Sequence, residues 1–143
     1  LAEKHGLEKI KTIGDAYMAA AGLPTPRADH VDAVADMALD MQTAIQQFHR
    51  PDGQPFQLRI GISTGPVIAG VIGVRKFAYD LWGDTVNLAS RMESTGVPEK
   101  IQVTAEIYER IYHRYHLEAR GQVFIKGQGN LDTYWLLSRK RPL

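Results

Sequence analysis

The sequence predicts an α+β fold, a largely antiparallel sheet with helices on one side. Three observations predict it. Strand-like alternation and three-and-four helical spacing are interleaved without the strict strand–helix–strand rhythm of a parallel sheet. Glycine-centred turn signals separate neighbouring strand candidates, which favours hairpins and antiparallel pairing. The 143 residues, 44% hydrophobic and 23% charged, suffice for one buried core and one domain over 1–143, with no linker, repeat or low-complexity tract.

The elements follow in order. Leu1 to Lys4 read as the last turn of a helix closed by Gly6 at its C-cap, so the chain is expected to begin inside a domain. Leu7 to Ile13 and Ala16 to Ala20 read as strands joined at Gly14-Asp15, a glycine-first pair suited to a tight turn. On the first strand Lys9, Lys11 and Ile13 share one face, while Ile10 and Thr12 take the other. After the rigid Leu23-Pro24-Thr25-Pro26, Asp29 caps a long helix. Its Val31, Val34, Ala38, Met41, Ile45 and Phe48 form an apolar stripe, and Asp32, Asp36 and Asp40 its wet face.

Pro51-Asp52-Gly53 turns the chain into a half-buried strand on which Phe56, Leu58, Ile60 and Ile62 alternate with polar or small residues. Gly61, Gly65, Gly70 and Gly73 either admit a second backbone or a ligand, or mark bulges and packed turns. Phe77 to Trp82 reads as a strand, Gly83 as a break, and Asp84 as the N-cap of a helix to about Glu93. A strand Ile101 to Val103, a helix Ala105 to Tyr112 and a hairpin turning at Gly127-Gln128-Gly129-Asn130 complete the chain.

Seventeen basic against sixteen acidic residues leave a net charge of +1, so no global field draws the chain to nucleic acid or an anionic membrane. Phosphate chemistry must then be local. Without cysteine there is no disulfide, thiolate metal site or catalytic thiol, and the composition suits a reducing, cytoplasmic setting. No apolar run approaches the roughly 20 residues that span a bilayer. His5, His30, His49, His113 and His116 lack metal-binding helix spacings, and His113 with His116 reads as a polar helix end. P-loop, nucleophile-elbow and strand-anchored dinucleotide motifs are missing.

Several polar residues remain as candidates for chemistry. Asp15, at a hairpin tip, can reach a divalent cation that keeps waters or phosphate oxygens, or it is a turn aspartate. Asn87 and Arg91 lie one helical turn apart on the face away from Leu88, Ala89 and Met92. An amide and a guanidinium so placed suit a sugar oxygen and a phosphate, or form a solvated face. Lys11 shares its face with an apolar residue and asks for a partner. Asp80, between Tyr79 and Leu81, would be costly unpaired, and a structural salt bridge would satisfy it. Lys126, beside Gly127 and Gly129, can meet a phosphate or simply belong to a turn.

Taken together, Glu8-Lys9-Ile10-Lys11-Thr12-Ile13-Gly14-Asp15-Ala16-Tyr17-Met18, the glycine-spaced Arg59 to Gly73, Tyr79-Asp80-Leu81-Trp82-Gly83-Asp84-Thr85-Val86-Asn87-Leu88-Ala89-Ser90-Arg91-Met92-Glu93-Ser94 and the closing Val123 to Trp135 resemble the catalytic domain of class III nucleotidyl cyclases. The resemblance spans nearly the whole chain. It implies a palm-type, mostly antiparallel sheet with flanking helices, and a head-to-tail homodimer with nucleotide sites shared between subunits. By the same resemblance, Asp15 matches the second of two aspartates holding two Mg²⁺ or Mn²⁺ ions, and Lys11 and Asp80 the pair that selects the purine. Asn87 matches the ribose-orienting residue, Arg91 the one that stabilises charge at the α-phosphate, and Lys126 the binder of distal phosphates.

The first metal aspartate belongs to an opening strand with no counterpart among these residues, so an N-terminal strand and helix are expected to be missing and the isolated chain to be nearly inactive. Adenine offers an acceptor at N1 and a donor at its exocyclic amine, which a lysine and an aspartate complement. Guanine offers the reverse, and the guanylyl branch typically carries glutamate and a small polar or thiol residue at these positions. The resemblance therefore implies an adenylyl cyclase converting ATP to cyclic AMP and pyrophosphate, with regulatory domains and any membrane or sensor segment outside these residues. A guanylyl cyclase and a non-catalytic, nucleotide-sensing dimerisation module are the alternatives.

Overall fold

The computed structural model describes residues 4–13, 16–22, 26–48, 50–54, 56–72 and 78–140. Strands β1 (Glu8–Ile13) and β2 (Ala16–Ala20) form an antiparallel hairpin. Helix α1 (His30–Ile45) follows, then β3 (Ile60–Ile62) and a second hairpin of β4 (Ile68–Ile72) and β5 (Ala78–Trp82). Helix α2 (Asp84–Ser94), strand β6 (Ile101–Thr104) and helix α3 (Ala105–Ile111) lead into the long hairpin of β7 (Tyr115–Ile125) and β8 (Gly129–Arg139). The main sheet runs β3-β6-β8-β7, antiparallel except for the parallel β3–β6 pair.

Strand alternation sorts the layers. Ile62, Ile101, Val103 and Leu136 are buried in one cluster with Val31, Ala35 and Ala38 of α1 and Ile107 and Ile111 of α3. The intervening positions face the other way, where Gly61 meets the backbone of α2 and Gln102 bonds to it. Helices therefore cover both faces of the main sheet, correcting the expectation of helices on one side.

α1 also differs from its expected pattern. Ala33 and Met37 form a second buried face against Leu7, packing the β1–β2 hairpin onto the helix. Phe48 lies beyond the helix and is exposed. The expected wet face is a row of ion pairs instead. Asp32 receives Arg114 at 2.5 and 2.6 Å, Asp36 receives Arg139 at 2.9 Å and the Tyr115 hydroxyl at 2.7 Å, and Asp40 receives Arg139 at 3.1 Å. His5 lies 2.7 Å from the same Asp40 carboxylate. Carboxylates at that spacing look solvated in a sequence, because their partners come from the distant chain end.

Smaller corrections have local causes. A bulge at Ile10 shifts the register between Lys9 and Lys11 and breaks their expected shared alternation. Lys9 lies over the Tyr17 ring, while Lys11 reaches Asp80. Only Ile60–Ile62 of the expected Phe56–Ile62 strand is paired. Asp29 occupies the N-cap of α1 but spends its carboxylate on Arg27, and α2 starts at Asp84 with Gly83 as its N-cap. α3 has a side-chain cap, since Thr104 Oγ1 accepts from the Ile107 amide. Gly6 has a φ of +73°, and of the helical turn expected before it, Leu1 to Lys4, only Lys4 lies among the described residues.

Candidate functional site

α2 is the central support. A Cβ on Gly61 would lie 2.2 Å from the Glu93 amide nitrogen and 2.5 Å from the Ala89 carbonyl oxygen, so β3 and the helix backbone touch directly. Of the two readings open for these glycines, Gly61 takes the second backbone. At the other end, Thr85 Oγ1 donates to the Pro66 carbonyl at 2.8 Å, and Ser63 Oγ donates to the Thr85 carbonyl. Met92 is fully buried beneath the helix. The opposite face carries Asn87 and Arg91, both exposed.

The β7–β8 turn stands across from that face. Together they enclose a cleft of about 520 Å³ lined by Asp84, Asn87, Arg91, Lys126 and Gln128. Three residues singled out separately in the sequence thus meet in one place. Among the described residues, none of the side chains of Asn87, Arg91 and Lys126 forms a hydrogen bond or ion pair. Their donors remain available. Two cations against one carboxylate favour an anionic ligand.

Sequence reasoning missed two cleft residues. Asp84, assigned to a cap, lies one turn before Asn87 on the same helix face, a spacing that was readable. Gln128, assigned to the turn, shares that turn with Lys126.

Lys11 and Asp80 form a second polar group. They come from different hairpins, and Lys11 Nζ donates to Asp80 Oδ2 at 2.8 Å. Asp80 is 6% exposed, and its Oδ1 accepts from the Leu81 amide at 2.8 Å. The Lys11 bond first, then that amide, holds the Asp80 carboxyl below the usual carboxylate range. The pair offsets the cost of burying Asp80, and among the described residues Lys11 Nζ has no second acceptor. β5 passes through Gly83 straight into α2, so Asp80, Asn87 and Arg91 ride on one continuous segment. Asp15, the expected metal ligand, lies outside the described residues.

Comparison with known proteins gives the context. The family model of the adenylate and guanylate cyclase catalytic domain matches residues 1–138. An adenylate cyclase of Mycobacterium tuberculosis is 52% identical over 140 residues, covering 98% of this chain and 32% of that protein. The chain thus spans about a third of the length of that relative. The guanylate cyclase domain of RhGC from Catenaria anguillulae, solved with GTP, superposes with a TM-score of 0.91 at 39% identity, covering 97% of this chain and 76% of that one. The adenylyl cyclase CyaB from P. aeruginosa superposes with a TM-score of 0.90 at 30% identity, covering 99% and 77%.

Proposed function

Since the chain belongs to the family of adenylate and guanylate cyclase catalytic domains, we propose that it acts as an adenylyl cyclase, converting ATP to 3′,5′-cyclic AMP and pyrophosphate. The Lys11–Asp80 contact carries the choice of base. Lys11 spends one proton on Asp80 and has others for adenine N1, while the carboxylate keeps lone pairs for the exocyclic amine. The adenylate cyclase relative at 52% identity supports the same choice.

In the proposed reaction the ribose 3′-oxygen attacks the α-phosphorus and its proton passes to solvent. The bond from that phosphorus to the bridging oxygen breaks, releasing pyrophosphate. Asn87 holds the ribose, so that nucleophile and leaving group stay in line. Arg91 lays its fork on the α-phosphate oxygens as their charge grows, and Lys126 meets the distal phosphates. The shared cleft and the available donors of these residues support those roles.

The proposal includes two Mg²⁺ or Mn²⁺ ions with Asp15 as a ligand. Among the described residues no three His, Cys, Asp or Glu side chains gather into a metal cage. A carboxylate suits a divalent cation whose other positions are filled by phosphate oxygens and water. Such ions, when bound, acidify the 3′-hydroxyl and neutralise phosphate charge.

A homodimer belongs to the same reading. Ile68 and Trp82 pair across the β4–β5 hairpin and are 68% and 42% exposed, an apolar surface two residues from Asp80 that a second subunit would cover. No helix among the described residues is long and apolar enough to cross a membrane. Guanylyl cyclase activity is the second reading, favoured by the likeness to the Catenaria domain solved with GTP. The test is turnover of ATP and GTP, side by side with Mn²⁺, in the full-length protein. Preference for ATP is expected, and preference for GTP would overturn the assignment.

A further inference from the structure

The two walls of the cleft are tied together at a distance from it. Gln102 on β6 is fully buried, yet it is polar. Its amide nitrogen donates to the Met92 carbonyl at 2.8 Å and to Thr95 Oγ1 at 2.9 Å, and its amide oxygen accepts from Arg120 at 2.5 Å. The same Arg120 nitrogen donates to the Thr95 carbonyl at 2.6 Å, and the guanidinium stacks 4.8 Å from the Trp135 ring centroid. Thr95 in turn donates to the Arg91 carbonyl through its amide at 2.9 Å and its hydroxyl at 2.6 Å.

This chain of bonds ends on the backbone of a cleft residue. It begins on β7, the strand that delivers Lys126 to the opposite wall. Among the described residues, no other side chain of β7 or β8 hydrogen-bonds to α2 or to Thr95. We propose that Arg120, acting through Gln102 and Thr95, is a positioning residue that fixes Arg91 and Asn87 relative to Lys126. Core packing alone does not require this arrangement. An apolar side chain would fill the place of Gln102 without the cost of burying an amide, whereas the amide also fixes the rotation and endpoint of α2. Arg120 is exposed and belongs to neither apolar cluster, so its loss removes no core packing, although it leaves the buried Gln102 oxygen without this donor.

The kinetic part rests on the cyclase reading, and the exchange part does not. In the protein free of nucleotide, Arg120→Ala is expected to lower the thermal midpoint by several degrees, as the buried Gln102 oxygen loses its donor, and to speed amide hydrogen exchange at residues 91–96 more than in α1. In turnover assays it is expected to lower kcat roughly 10-fold with KM changed much less, as for a reacting group displaced by a fraction of an ångström. Arg120→Lys, which keeps a donor, is expected to recover part of both. The loss should largely vanish in an Arg91→Ala background, because the two changes then act on one interaction. Unchanged exchange at 91–96 would overturn the proposal, as would a kcat loss of full size in the Arg91→Ala background. A parent protein that turns over neither ATP nor GTP would remove the cyclase reading alone, with the exchange result still deciding whether Arg120 positions α2.

Discussion

At the scale of single residues, the observed role of the Lys11–Asp80 pair and its proposed role separate by experiment. As an ion pair it offsets the burial of Asp80. In the proposed base-reading role it would complement adenine, so Lys11→Glu combined with Asp80→Cys is expected to lower kcat/KM for ATP more than for GTP. Steady-state rates with both nucleotides check this, and equal losses would reduce the pair to a structural role. Arg91 differs because its exposed guanidinium has no hydrogen-bond or ion-pair partner among the described residues. Arg91→Ala should lower kcat by roughly 10² to 10³ with little change in KM, the pattern of an interaction made mainly in the transition state. Arg91 was legible in the sequence because helix spacing places it independently of distant contacts. The pairing of Lys11 with Asp80 came from the family resemblance, since no local rule brings two hairpins together and a bulge at Ile10 breaks the strand alternation.

At the scale of elements, legibility followed locality. The β1–β2 and β7–β8 hairpins, α2 and α3 announce themselves through turn residues and periodicity. The ion-paired face of α1 does not, because Arg114, Tyr115 and Arg139 lie far along the chain from the aspartates they meet. Burial works against the charge on Asp40, but the bonds from Arg139 and His5 outweigh it and hold its carboxyl below the ordinary range. A carboxylate lowered on folding stabilises the protein above its unfolded pKa of about 4, and that stability is lost as pH falls through the lower folded value. Asp40→Asn is therefore expected to flatten the acid side of the stability profile, measured as urea midpoints between neutral pH and about pH 2. Gly61 makes a sharper claim. With helix backbone at 2.2 Å from a built Cβ, Gly61→Ala must push α2 away from β3, at a cost of about 3 kcal/mol or more. Denaturant unfolding should show that loss, with kcat falling further than the folded fraction because Asn87 and Arg91 move with the helix.

At the scale of the whole molecule, the distribution of proposed roles over one chain decides how an assembly would work. Lys11, Asp80, Asn87, Arg91 and Lys126 all belong to a single described chain, and the last three line one cleft. A symmetric dimer of such chains would repeat every surface twice, so it would hold two equivalent sites rather than one active and one silent site. If each site takes its purine pair from one subunit and Asp15 from the other, the lesions of two inactive variants can be sorted into the same site. Lys11→Ala and Asp15→Ala chains, each nearly inactive alone, are therefore expected to regain activity when mixed. In the heterodimer one site collects both substitutions and the other collects neither, so mixing equal amounts should restore about a quarter of the parent rate if subunits exchange freely. Turnover measured against mixing ratio, with heterodimer content followed by differently tagged chains, checks this. Proven heterodimers without recovered activity would show that each subunit completes its own site, and the exposed Ile68–Trp82 surface would then need a different occupant.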